Sequence, residues 1–359
     1  MDNSQVIFNG GEAGYNTYRI PALLRAPGGD LLLFCEGRKH DRHDTGQIDI
    51  LMKRSQNGGD TWSAQEVVVS EPEMTCGNPC PVVDRATGHI LLPFCKNRSD
   101  GGQNLIAQGK APRTVWLTRS TDEGRSWREP EEITDQVKKN SWTWYATGPG
   151  HGIQLSNGRL VVPCDHNVGV YHQRGKDPYG SHVIYSDDHG ETWHIGAILS
   201  LPGNECGVAE VDDDTLYLNA RTRAEHGVRS YGFSYDGGLS FMKEGFHSEL
   251  VEPQLYAGGC QGSLLKVRDP ESEADLLLFC NPATSSEERK RLAIHVSEDG
   301  GHSWSEARVI QPGPAGYSDM VESEDGAIVC VHEAGNEAYH ERLEVSRFSV
   351  EWLVEGIKQ

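Results

Sequence analysis

Leu31-Leu32-Leu33-Phe34-Cys35-Glu36 is an apolar run that closes on a thiol and then a charge. The phrase returns as Leu91-Leu92-Pro93-Phe94-Cys95-Lys96, as Leu160-Val161-Val162-Pro163-Cys164-Asp165 and as Leu216-Tyr217-Leu218-Asn219-Ala220-Arg221. Two further copies are Leu276-Leu277-Leu278-Phe279-Cys280-Asn281 and Ala327-Ile328-Val329-Cys330-Val331. The closing positions 35, 95, 164, 220, 280 and 330 lie 50 to 69 residues apart. Each interval can hold four short strands with their turns, and a near-continuous apolar run reads as a strand buried on both faces. The phrase therefore predicts an all-β chain: a six-bladed β-propeller of four-stranded antiparallel sheets, with residues 1–359 as one domain.

A second repeat follows five of these runs: Ser55 to Trp62, Ser120 to Trp127, Ser186 to Trp193, Ser234 to Phe241 and Ser297 to Trp304. Each fits Ser-x-Asp-x-Gly-x-Thr/Ser-Trp/Phe, with Asn57 replacing the aspartate in the first. This is the chemistry of a hairpin tip. Short polar side chains bond local amides, the glycine takes a positive φ, and the aromatic packs beneath the turn.

Composition narrows the function classes. The 359 residues carry 33 Lys plus Arg against 53 Asp plus Glu, a net charge of −20. Such a field repels phosphate, so neither nucleic acid nor an anionic membrane surface is expected as the main partner. No apolar run approaches the ~20 residues that span a bilayer. Nine cysteines, most of them closing apolar runs, read as buried free thiols in a reducing compartment. Met1-Asp2-Asn3-Ser4 does not begin a recognisable signal peptide, so a cytoplasmic location is expected. Cys76 and Cys80 have no second pair at zinc spacing, and His40 and His43 read as a solvated loop. Neither a metal nor a cofactor is expected.

The polar residues that close the runs, Glu36, Lys96, Asp165, Arg221 and Asn281, occupy equivalent places at strand ends. In a propeller, loops at one face can gather them.

The five turns are similar to the Asp boxes of sialidase-type propellers. Asp boxes also occur in propellers that are not enzymes, so three further motifs narrow the resemblance. They are Tyr18-Arg19-Ile20-Pro21, Asn204-Glu205-Cys206-Gly207-Val208-Ala209-Glu210 and Gly316-Tyr317-Ser318-Asp319. Over about residues 5 to 350 the chain resembles the exo-α-sialidases (neuraminidases) of the bacterial and animal cytosolic type. The substrates this implies are sialylated glycans.

A sialic acid carries an ionised carboxylate on its anomeric carbon, and planar, multi-donor guanidinium groups suit such an anion. The resemblance places three converging arginines at Arg19, Arg221 and Arg289, with Arg291 as the competitor for the third. A carboxylate nucleophile would be repelled by the substrate's own carboxylate, whereas a phenol is neutral. Sialidases are the known tyrosine-nucleophile exception among glycosidases. The resemblance implies Tyr317 as nucleophile and Glu205 as its base, with Glu210 the nearest competitor. It places the acid/base aspartate at Asp44, against Asp41.

Arg38 is expected to support the acid or the carboxylate from the rim. Gln261 resembles a family glutamine near the glycerol and ring face, and Asn78 with Pro79 borders the N-acyl pocket. Asp165 and His166 are expected at the outer rim. Segments 97–114 and 166–181 read as long loops over the mouth. The apolar residues of an N-acyl pocket do not align, which leaves the acyl preference open. The reaction implied is retaining hydrolysis of terminal α-linked sialic acid through a tyrosine-linked intermediate. A trans-sialidase or a non-catalytic sialoglycan-binding propeller shares parts of the same pattern.

Overall fold

The computed structural model describes residues 4–169, 179–223, 226–254 and 258–358. Strands dominate; the helices among these residues are Gln103–Ala107, Thr134–Val137 and Val350–Ile357. None of them is long and apolar enough to cross a membrane.

Each apolar run forms a strand, and its successive side chains feed opposite neighbours because the side-chain period of a strand is two. Leu31, Leu33 and Cys35 pack with Val329, Val331 and Val345, while Leu32 and Phe34 pack with Ile90, Leu92 and Phe94. Leu91 and Cys95 meet Leu160, Val162 and Cys164, and Val161 meets Leu216 and Leu218. Tyr217 joins Leu277 and Phe279, and Leu278 and Cys280 join Ile328 and Cys330. Every run is therefore apolar on both faces, which is why none alternates with polar residues. All nine cysteines are buried and free in these interfaces or beside them.

The strands do not assort into six separate sheets of four, as the repeat predicts. They form continuous sheets of seven, nine, five and four strands. One cause is the strand Ser305–Glu322, whose first part pairs with Lys290–Ser297 and whose second part pairs with Ile328–Ala334. A single parallel pairing, Ile48 with Thr75, fuses two further groups. The architecture is all-β and propeller-like. Ser4–Asn9, at the start of the chain, pairs antiparallel with Arg342–Phe348 near its end.

The Asp-box turns have the expected bonding. Ser186 Oγ donates to Asp188 Oδ1 at 2.8 Å and accepts from Gly190 N at 2.9 Å, and Thr192 N donates to Asp188 Oδ1 at 2.9 Å. Gly190 has φ +81°, and a Cβ there would lie 2.0 Å from Leu91 Cδ2. The glycine thus supplies both the left-handed backbone and the close approach to the neighbouring strand group.

Candidate active site

At one end of these strands opens a cavity of about 250 Å³ lined by residues from widely separated segments, among them Arg19, Asp44, Glu205, Arg221, Arg289 and Tyr317. The strand Thr17–Arg25 is bulged between Arg19 and Ala22, where Ile20 has φ +57°. A β-branched residue rarely adopts that conformation, and bulges re-aim side chains. Freed from the ladder, Ile20 N donates to Glu333 Oε1 at 3.2 Å. Arg19 Nε and Nη2 donate to the two oxygens of Glu333 at 2.9 and 3.2 Å, and its Nη1 lies 3.3 Å from Asp44 Oδ1.

Arg221 follows directly on the strand Thr215–Ala220. Its Nη1 donates to Glu205 Oε2 at 2.7 Å and to Tyr317 Oη at 3.2 Å, while Nε and Nη2 donate to the Gly258 carbonyl. Arg289 precedes the strand Lys290–Ser297, and its Nη2 donates to the Gly259 carbonyl at 3.2 Å. Its rival Arg291 pairs instead with Glu306.

Tyr317 Oη donates to Glu205 Oε1 at 2.5 Å. Burial first, and then the Glu205 charge, push the Tyr317 phenol well above its usual pKa, against the opposing pull of Arg221, Arg289 and Arg19. The phenol is therefore neutral at rest. Glu210, the competitor of Glu205, accepts from Ser156 N and Oγ outside this cavity.

Asp44 is exposed on the segment between strands Leu31–Arg38 and Ile48–Ser55, with Oδ1 2.8 Å from Arg38 Nη1. Desolvation at the cavity mouth pushes this carboxyl up, but Arg38 and Arg19 outweigh it and bring it down to about 2. Arg38 is buried and also donates to Glu36 Oε2 at 2.6 Å. Asp41 accepts from His43 N within its own loop. Among the described residues no group of three or more His, Cys, Asp and Glu is arranged to hold a metal ion.

Asn78 also borders the cavity; its N donates to Glu36 Oε1 at 2.9 Å and its Oδ1 accepts from Arg113 Nη2 at 2.5 Å. Gln261 is not on the cavity wall. It is buried behind Tyr317, accepting from Ser318 N and donating to the Ser318 and Pro149 carbonyls, so it holds the backbone beside the phenol.

Two strand-end residues are likewise not gathered. Lys96 turns to Glu71 and the Trp116 ring, and Asn281 donates to the Val251 carbonyl. Asp165 is not at the outer rim but buried in the wall, with neither oxygen hydrogen-bonded. Burial, reinforced by Glu205, pushes it well above the carboxylate range although Arg113 and Arg221 oppose this. His166, the next residue on the strand, faces the other way and stacks on Trp142. The segment 97–114 is not one loop, for it contains the helix Gln103–Ala107. Residues 170–178 of the other segment lie outside the described residues.

The cavity wall and the layer directly behind it contain groups that sequence reasoning missed: Arg113 and Tyr339 on the wall, and Glu333 buried behind Arg19. Arg113 lies in the supposed loop and is buried with its guanidinium 4.3 Å from the Trp144 ring. Glu333 stands five residues into its strand, as Glu36 does in its own, a signal lost when Cys330 is aligned with Cys35. Tyr339 comes from a segment without a motif.

The BNR repeat-like domain family matches residues 20–330. Sialidase-3 of Mus musculus is 31% identical over 96% of this chain and 94% of its own length. The Hadza microbial sialidase Hz136 superposes with a TM-score of 0.82 at 26% identity, covering 97% of this chain and 68% of that one. The intramolecular trans-sialidase of Ruminococcus gnavus shares the fold, with a TM-score of 0.80 at 17% identity over 98% of this chain and 99% of that one. This chain belongs to the exo-α-sialidase family with BNR repeats and is a glycoside hydrolase.

Proposed function

We propose that the chain is a retaining exo-α-sialidase that releases terminal α-linked sialic acid from glycoconjugates. It does so within one domain, a six-bladed ring. The ring reading is supported by the six successive side-chain interfaces and by the pairing of Ser4–Asn9 with Arg342–Phe348.

The observation that carries the mechanism is the 2.5 Å bond from Tyr317 to Glu205 beside Arg19, Arg221 and Arg289. The arginines bind the substrate carboxylate and set the anomeric carbon over the phenol. Tyr317 Oη attacks that carbon while its proton passes to Glu205, and Asp44 gives a proton to the departing aglycone oxygen as the glycosidic bond breaks. Water then attacks the same carbon with Asp44 taking its proton, and Tyr317 leaves with the proton returned from Glu205.

Asp44 must hold a proton for the first step, whereas Arg38 and Arg19 keep it ionised in the empty site. A bound carboxylate offsets the charge of Arg19 and an aglycone removes water from the mouth. Both raise the Asp44 pKa. Arg38 and Asn78, both held by Glu36, bind or orient the sugar, while Gln261 acts through Ser318.

The test is a fluorogenic sialoside with the released anomer followed by NMR. The α-anomer as first product supports retention, and the β-anomer overturns it. Added lactose separates hydrolysis from transfer, since transfer yields sialyllactose. Binding without turnover would leave the lectin reading.

A further inference from the structure

We infer that Tyr339 is a positioning residue for carboxylate recognition: its ring and that of Tyr317 hold Arg289, together with Arg19, aimed into the cavity. This rests on the reading of the cavity as a sialic acid site. Guanidinium groups gathered for one anion repel each other while the site is empty. Two of the three are offset by carboxylates, Arg19 by Glu333 and Arg221 by Glu205. Arg289 makes no contact ion pair with a carboxylate among the described residues, feeling Asp44 only at longer range, and its hydrogen bond goes to the Gly259 carbonyl.

Aromatic faces take the place of that partner. The Arg289 guanidinium carbon lies 5.3 Å from both the Tyr317 and the Tyr339 ring centroids. Arg19 lies 5.0 and 5.3 Å from the same two rings. These distances fall within the ~6 Å at which a ring quadrupole attracts a cation.

Two features keep the Tyr339 ring in place. A Cβ on Gly316 would lie 2.8 Å from Tyr339 Cδ2, so the glycine beside Tyr317 leaves the room the ring occupies. The turn that presents Tyr339 is tied by Glu341, whose carboxylate accepts from Asn336 N, Glu337 N and Ala338 N at 2.9, 2.9 and 2.7 Å. The second ring is thus set before a ligand arrives.

The experiment compares the parent with Tyr339→Ala, Tyr339→Leu and Tyr339→Phe. Leucine keeps apolar bulk without a π face, and phenylalanine keeps the face without the hydroxyl. Each variant is first shown to be folded by thermal unfolding. The readouts are kcat and KM on a fluorogenic sialoside, and inhibition by a 2,3-didehydro-2-deoxy sialic acid beside its C1 amide, which lacks the negative charge.

Loss of one desolvated cation–π contact predicts that alanine and leucine raise KM and weaken the acid about tenfold. The change in kcat is smaller, because the carboxylate is held in ground and transition states alike. The amide does not weaken, and phenylalanine restores most of the affinity for the acid. The inference is overturned if the leucine variant binds the acid as the parent does, if acid and amide weaken together, or if phenylalanine fails to restore. A parent that neither hydrolyses the sialoside nor binds the acid overturns the sialidase reading as well. A fully active parent with an unaffected leucine variant removes only Tyr339.

Discussion

The phenol of Tyr317 and the carboxylate of Glu205, 112 residues apart in the chain, meet at 2.5 Å inside a wall of arginines. Glu205 also bonds Arg221 at 2.7 Å, so one carboxylate both accepts the phenol's hydrogen bond and fixes a cation of the cavity wall. Because burial holds the Tyr317 proton on, Tyr317 can attack only if a base takes that proton as the bond forms. Glu205→Gln is therefore expected to lower kcat on a sialoside by roughly 10²- to 10⁴-fold. Tyr317→Phe, folded and still binding sialic acid, should abolish the covalent route. Hydrolysis within a few-fold of the parent would remove the nucleophile assignment.

Asp44 should matter in proportion to how badly the leaving group needs a proton. Asp44→Ala is expected to cost ~10²- to 10⁴-fold on sialyllactose and far less on a nitrophenyl sialoside, whose phenolate leaves unaided. Equal losses on both substrates would argue against a general acid at this position.

Removing the Arg38 guanidinium takes away the largest of the cationic influences on Asp44, ahead of Arg19 and Arg289. In Arg38→Met the Asp44 carboxyl should titrate above the value near 2 that it has with Arg38 in place. NMR titration of the aspartate carboxyl carbons reads this directly. An unmoved or lowered value would contradict the assigned cause.

Gly190→Ala tests the link between turn and core. An added Cβ meets Leu91 Cδ2 at 2.0 Å from a backbone with φ +81°, so strain and overpacking act together. The expected loss is about 2–4 kcal/mol, measured by denaturant unfolding. A change within ~0.5 kcal/mol, the range of an ordinary surface substitution, would show that the close approach is dispensable.

Acid should destabilise the fold before its carboxylates titrate. His166, His247 and His295 are buried, and desolvation brings each down to about 4. Between pH 4 and about 6.5 the unfolded chain therefore binds more protons at these three positions than the folded one, and their contribution to stability rises with pH across that window, against the opposite contribution of the raised Asp165. Each group contributes up to about 3 kcal/mol that is fully present above pH 6.5 and lost as pH falls toward 4. Thermal midpoints that stay level from pH 7 to pH 4 would contradict this.

The strands and the turns were legible because each is specified locally. Leu31-Leu32-Leu33-Phe34 announces a strand with two buried faces, and Ser186, Asp188 and Gly190 make their turn with bonds inside five residues. Tyr317, Glu205 and Arg19 could be named because short motifs surround them. Arg113 and Tyr339 on the wall and Glu333 behind Arg19 could not, because what brings them there is the placement of other strands.

Even the direction of Asp165 against that of His166 depends on which face of one strand meets the cavity. Local chemistry by itself determined the all-β character, the repeated unit and the residue types able to hold an anion beside a phenol. The tertiary structure decided which Arg289 neighbours replace a missing carboxylate, why Asp44 is ionised in the empty site and why Gln261 supports the wall without forming part of it. Coulomb and cation–π interactions act over a few ångströms of space, and residues that far apart in space can be hundreds of positions apart in sequence.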